Sequence, residues 1–317
     1  MGSEAAVDSG QAETTRTSAP AGSRATSKTV PLAEALALGW VEFWYQPKID
    51  LRTMRMVGVE TLARVRHPVH GILNPGSFLP GAHKSSLSAL AQQALITALK
   101  EGLQFSKMGI SVRFAVNMSL DALMKLPIEV LVRRYRAPKE KWPGLIFDVP
   151  ESELLNNVAQ VREIIADLTP FGINFAIDDF GSCISSALDP QNRGQAQVML
   201  DEILAKLLAL KNVSIAEMKL DRAFVKDCGT NARHGAICKV FIDLAHCVGS
   251  TAVAIGAESA NDIRALQSMN CDVGQGYLFG EPLSKVEFSG LVRNHANKQF
   301  GINMGGSAPP PRPYSNT

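Results

Sequence analysis

No stretch of about 18 consecutive apolar residues occurs in this chain, and its first residues lack the apolar core of a signal peptide. Neither a membrane-spanning helix nor an export signal is therefore expected. Its five cysteines, Cys183, Cys228, Cys238, Cys247 and Cys271, form no CxxC pair and have no histidines at zinc-finger spacing. That pattern excludes a structural zinc and a disulfide framework, and it predicts free thiols in a reducing compartment. A net charge of only +2, with Lys and Arg spread along the chain, argues against a nucleic-acid partner. The expected setting is the cytoplasm, with no membrane and no nucleic acid.

The chain has 317 residues, of which 46% are hydrophobic and 20% charged, enough to bury one large core. Residues 1–29 consist mainly of Ala, Ser, Thr, Gly and charged residues with no aromatic, and are expected to be a disordered tail. Residues 296–317 form a second tail, whose run Gly305 to Pro313 reads as extended polyproline. The domain is expected between them, over 30–295. There, strand-like runs at Val112–Asn117, Leu145–Val149, Ile173–Asp178 and Glu217–Leu220 alternate with helical spacing at Leu87–Leu103 and Val158–Leu168. Strand followed by helix, repeated, predicts an α/β architecture built on a parallel sheet.

Six apolar runs each stop at a residue able to ligate a metal or handle a phosphate: Glu60, Asn117, Asp148, Asp178, Lys219 and Gln275. A seventh stops at Ile255. In a parallel barrel these residues would gather at the C-terminal rim, where such folds keep their chemistry. Taken singly they have plainer roles. Asp178 and Asp179 could cap a helix, Asn117 could satisfy a loop, and Lys219 could snorkel to solvent. Carboxylate and amide oxygens suit hard Mg²⁺ or Mn²⁺, and two such ions can stabilise the attacking and leaving oxygens of a phosphodiester together.

The order and spacing of these segments resemble the EAL family of cyclic di-GMP phosphodiesterases over roughly residues 36–290. Tyr45-Gln46-Pro47 leads into Glu60-Thr61-Leu62-Ala63-Arg64, similar to E-x-L-x-R with Thr61 where Ala is usual. Asn117-Met118-Ser119, Asp178-Asp179-Phe180-Gly181, Lys219-Leu220-Asp221 and Gln275-Gly276-Tyr277-Leu278-Phe279 follow in family order. The resemblance implies a TIM-like (β/α)8 barrel and Mg²⁺ or Mn²⁺ held by Glu60, Asn117, Asp148 and Asp178, with Asp179 on a second ion. It also implies Lys219 beside the reacting phosphate and Arg64 on a phosphate oxygen. Gln46, Phe78, Pro80, Asp179 and Gln275 would line the nucleotide site, and a homodimer is a further expectation.

Three departures stand against that pattern. The strand motif E-x-T-E is here Asp148-Val149-Pro150-Glu151, which sets one carboxylate a methylene further back and predicts weaker metal affinity. The motif E-G-V-E is Ile255-Gly256-Ala257-Glu258, so Ile255 stands at the position that the resemblance assigns to a general base or to a ligand of a second metal, and only the second acid, Glu258, remains. Ser182-Cys183-Ile184 replaces a Thr-Gly-aromatic sequence. Lys219 follows Asp179 at an interval of 40 positions, about twice the family interval, predicting an enlarged rim segment near 187–212 with a helix over 196–210. The expected function is a degenerate EAL domain, a receptor or regulator that binds cyclic di-GMP or a protein partner. The alternatives are an active phosphodiesterase giving pGpG, with Glu258 or Glu151 supplying the missing acid, and a nucleotide-independent scaffold.

Overall fold

The computed structural model describes residues 29–182, 193–210 and 213–295. Both expected tails lie outside the described residues apart from Thr29, as do Cys183 and the flanks of the rim segment at 187–192 and 211–212.

Strand β1 (Val41–Asp50) is followed after four residues by β2 (Arg55–His67), and a connection this short can only return the chain antiparallel. The turn is built by Asp50, whose Oδ1 accepts from the Thr53 and Arg52 backbone N–H groups at 2.6 and 3.0 Å. The strand β3 (Gly71–Leu73) folds back on the end of β2. From there the chain runs parallel through β4 (Phe114–Asn117), β5 (Leu145–Pro150), β6 (Ile173–Phe180), β7 (Ile215–Leu220), β8 (Thr251–Ile255) and β9 (Val273–Gln275). Pairing of β1 with both β2 and β9 closes an eight-stranded barrel, with β3 as an appendage. The expected barrel is present, with one refinement: its first strand runs against the other seven.

Helices cover the outside. Lys84–Lys107 and Val158–Leu168 take in the two helical stretches read from the sequence, and the enlarged segment carries a helix at Arg193–Ala209. The core between strands and helices includes Phe105, Phe114, Phe147, Phe175, Phe180, Phe241 and Phe288. A second, smaller cluster of Val30, Leu32, Ala35, Val65, Leu73 and Phe78 ties the first helix, Leu32–Ala37, to the β2–β3 hairpin.

Alternation along each strand decides which side chains enter the barrel. A cavity of about 550 Å³ opens at the N-terminal end, and Lys48, Gly58, Ala115, Ile146, Glu217, Thr251 and Val273 line it. Steps of two from those positions bring Gln46, Glu60, Asn117, Asp148, Lys219, Ile255 and Gln275 to the opposite end, all facing inward.

Thr61 faces away from this interior and is 3% exposed. Its hydroxyl has no hydrogen-bond partner among the described residues, and a buried polar group left unpaired costs about 1–3 kcal/mol. Thr61→Val removes the hydroxyl at constant shape and is expected to raise unfolding free energy by about 1 kcal/mol, read from urea denaturation midpoints. A loss of stability would show that the hydroxyl is satisfied in solution.

Candidate active site at the C-terminal rim

The rim is organised around one amine. Lys219, 1% exposed, projects from β7 into the barrel and does not snorkel. Its Nζ lies 2.7 Å from Asp148 Oδ2, 2.8 Å from Asp178 Oδ1 and 3.5 Å from Glu60 Oε2. Carboxylate oxygens of Glu60, Asp148 and Asp178 all lie within 4.8 Å of one another. Although its side chain is one methylene shorter, Asp148 still reaches this cluster.

Amides fix Glu60 from both sides. Asn117 Nδ2 donates to its Oε1 at 2.9 Å, and Gln275 Nε2 donates to its Oε2 at 2.6 Å. Gln275 Nε2 also donates to Gln46 Oε1 at 3.0 Å, and Gln46 Nε2 donates to the Gly280 carbonyl at 3.1 Å. Residues from β1, β2, β4 and β9 thus form one network around the carboxylate. Burial would push the Glu60 carboxyl up, but Lys219, Lys48 and the two amides together hold it down at about 2. Asp148 has fewer donors. Burial, reinforced by Glu60 and Asp178 against the pull of Lys219 and Lys48, pushes its carboxyl up to about 6.

The tandem acids Asp178 and Asp179 come from a bulge. The β6–β7 register breaks between Ile177 and Phe180, and Asp179 adopts a positive φ of 52°. Bulges of this kind re-aim side chains beside functional sites. The Asp179 N–H bonds back to Asp178 Oδ1 at 3.1 Å, leaving an exposed carboxylate next to an inward-facing one. Gly181 follows at φ 93°, and a Cβ there would sit 2.4 Å from the Phe241 ring.

Not every expected residue joins the cluster. Phe78 is 2% exposed and packs inside the small hydrophobic cluster, whereas Pro80 is exposed. Arg64, 7% exposed, lies on the inward face of β2 beyond Glu60, with its Nη1 donating to the Ala63 carbonyl at 2.8 Å. Glu258 is ion-paired with Arg222, and buried Glu151 accepts from the Gly181 N–H at 3.2 Å. Both acids are engaged away from Lys219. Ile255 remains on the inner face of β8, level with Gln275.

The motif reading missed a second buried pair. Lys48 Nζ lies 2.6 Å from Glu217 Oε2 beneath the rim. Burial opposes its charge, yet Asp148, Glu217 and Glu60 outweigh that cost, and the ammonium is held above its ordinary range. The signal was present, since Lys48 lies two residues after Gln46 and Glu217 two before Lys219, which places each on the same face as a site residue.

Three carboxylates, Glu60, Asp148 and Asp178, surround the single ammonium of Lys219, while Lys48 pairs with Glu217 beneath them. Buried Asp148 Oδ1 has no partner among the described residues. Hard oxygen donors, a charge deficit and an orphaned acceptor together fit a divalent cation such as Mg²⁺ or Mn²⁺. Glu60, Asn117, Asp148 and Asp178 are the residues that would hold it.

A family model described as EAL domain matches residues 30–282. The chain belongs to the EAL domain family. Over 251 residues it is 30% identical to the cyclic di-GMP phosphodiesterase PA2567 of Pseudomonas aeruginosa, covering 78% of this chain and 39% of that protein. The cyclic di-GMP phosphodiesterase RocR of the same organism is 28% identical, with 79% and 59% covered. The chain thus spans less than two thirds of the length of either relative. Among solved structures, the PaMucR phosphodiesterase in complex with c-di-GMP superposes with a TM-score of 0.68 at 26% identity, covering 81% of this chain and 97% of that one. No helix among the described residues of this EAL domain is long and apolar enough to cross a membrane.

The raised Asp148 carboxyl has a measurable consequence in metal-free protein. Its ordinary value is 3.8 and its folded value about 6, so its stabilising contribution is full below about pH 4 and is lost as pH rises through 6. The advantage of Asp148→Asn over the unaltered chain should therefore grow between pH 4 and pH 7 by on the order of 1–3 kcal/mol. Urea unfolding in EDTA at the two pH values measures this. A pH-independent difference would contradict the assigned shift.

Proposed function

We propose that this EAL domain binds cyclic di-GMP at the C-terminal rim and works as a receptor or regulator with little or no phosphodiesterase turnover. The observation that carries the reading is the conjunction at β8. Ile255 stands in the inward position beside Gln275, while Glu258 is paired with Arg222 and Glu151 with the Gly181 N–H. The two acids that could stand in for the one missing at 255 are thus both engaged elsewhere, and loss of a general base alone commonly costs about 10²- to 10⁴-fold in rate.

Binding is supported by what the rim retains. Arg64 offers a planar guanidinium suited to a phosphate oxygen, and Gln46, Gln275 and exposed Asp179 and Pro80 surround the cluster. A divalent ion held by Glu60, Asn117, Asp148 and Asp178 would offset phosphate charge and acidify a bound water. Lys219 would neutralise the carboxylates next to it, and Gln275 and Asn117 would keep Glu60 oriented. The compact Glu60–Asp148–Asp178 cluster favours a second reading, slow hydrolysis to pGpG. A protein partner and a homodimer remain compatible with either reading.

Repair of β8 tests the proposal. Ile255→Glu alone should restore little pGpG release, because the Asp148 position also departs from the family pattern. Groups that act as one catalytic unit are non-additive, so Asp148→Glu with Ile255→Glu should exceed the product of the single effects with saturating Mn²⁺. Rapid turnover by the unaltered chain would overturn the proposal.

A further inference from the structure

The β1–β2 hairpin carries a second connected arrangement just above the cluster. In its register Gln46 faces Glu60, Trp44 faces Leu62 and Glu42 faces Arg64, so Glu42, Trp44 and Gln46 share the face of Glu60 and Arg64. Trp44 and Arg64 are diagonal neighbours there. The guanidinium carbon of Arg64 lies 5.5 Å from the centre of the indole ring. The indole is held in turn, since its Nε1–H donates to Glu42 Oε1 at 2.7 Å. Glu42 is anchored by Arg66, whose Nη2 and Nε donate to its two carboxylate oxygens at 2.9 and 2.8 Å.

We propose that Trp44, braced by Glu42, is a positioning residue for Arg64, holding the guanidinium over the rim in the orientation that receives a phosphodiester oxygen. This rests on the reading of the rim as a cyclic di-GMP site. The physical reasons are two. A long side chain that must meet one oxygen loses rotamer freedom on binding, and an aromatic face that restrains it beforehand removes part of that cost. The ring quadrupole also attracts a guanidinium more strongly when water is largely excluded, and Arg64 is 7% exposed. The indole N–H bond fixes the ring plane, so Trp44 is suited to orienting the arginine as well as attracting it. Arg64 Nη1 donates to the Ala63 carbonyl, which restrains the guanidinium at a second point.

The test is a thermodynamic cycle on the full chain, with cyclic di-GMP as probe and calorimetric Kd as readout. Trp44→Leu should weaken binding by about 3- to 30-fold, whereas Trp44→Phe, which keeps a ring face, should stay closer to the unaltered chain. Arg64→Ala removes the group on which Trp44 acts. In that background Trp44→Leu should therefore cost nothing further. An effect of equal size in both backgrounds overturns the positioning role while leaving the nucleotide site intact. A Trp44→Leu chain that binds as tightly as the unaltered one does the same. Absence of binding by the unaltered chain overturns the nucleotide reading, and this inference with it. Thermal unfolding of each variant serves as the control for folding.

Discussion

One ammonium group among three carboxylates sets the character of this molecule. Lys219 Nζ is enclosed by the barrel, within 2.8 Å of both Asp148 and Asp178, where like charges could not share so small a volume without it. Taking ions out of water costs several kcal/mol each, and only close pairing can return that cost. The closed sheet supplies the enclosure and β7 the lysine, while the β6 bulge turns Asp178 toward it. Removing Lys219 would leave three close carboxylates uncompensated, so the cluster constrains strand register as much as it offers a site.

The layer beneath extends the same logic. Lys48 and Glu217 neutralise each other, which leaves the excess negative charge to the rim alone. The two protonation extremes of the rim, Glu60 near 2 and Asp148 near 6, follow from burial, which raises both, set against Lys219 and Lys48; two amides help hold Glu60 down, while Glu60 and Asp178 add to the rise at Asp148. Glu60 takes two amide hydrogen bonds; Asp148 has one oxygen without a partner. Two acids in one cage therefore differ, and the less satisfied one is Asp148. Ile255 adds an apolar group to the same end of the barrel, level with Gln275.

Much of this was legible in the sequence because strand periodicity and motif order converge. Runs ending at Asn117, Asp148, Asp178, Lys219 and Gln275 gave a parallel α/β order, and the structure brings these residues together at one end. Glu60 was legible as a site residue, although its strand continues to His67 because β1 pairs with it as far as Val65 and β3 with its last three residues. The reversal of β1 lay in the four-residue turn after Asp50, a local signal outweighed by the repeating pattern of the rest. Phe78 could not be placed from its motif, since only the packing of Val65, Leu73 and Leu32 around it reveals that its ring is internal. The engagement of Glu258 by Arg222 and of Glu151 by Gly181 was likewise unreadable, because it depends on tertiary contacts across 36 and 30 residues.

The most direct measurement is a calorimetric titration of the unaltered chain with cyclic di-GMP, with and without Mg²⁺, followed by chromatography of the nucleotide recovered from the cell. The account predicts saturable binding with the cyclic dinucleotide recovered essentially intact. Quantitative conversion to pGpG, or no heat of binding under either condition, would contradict it.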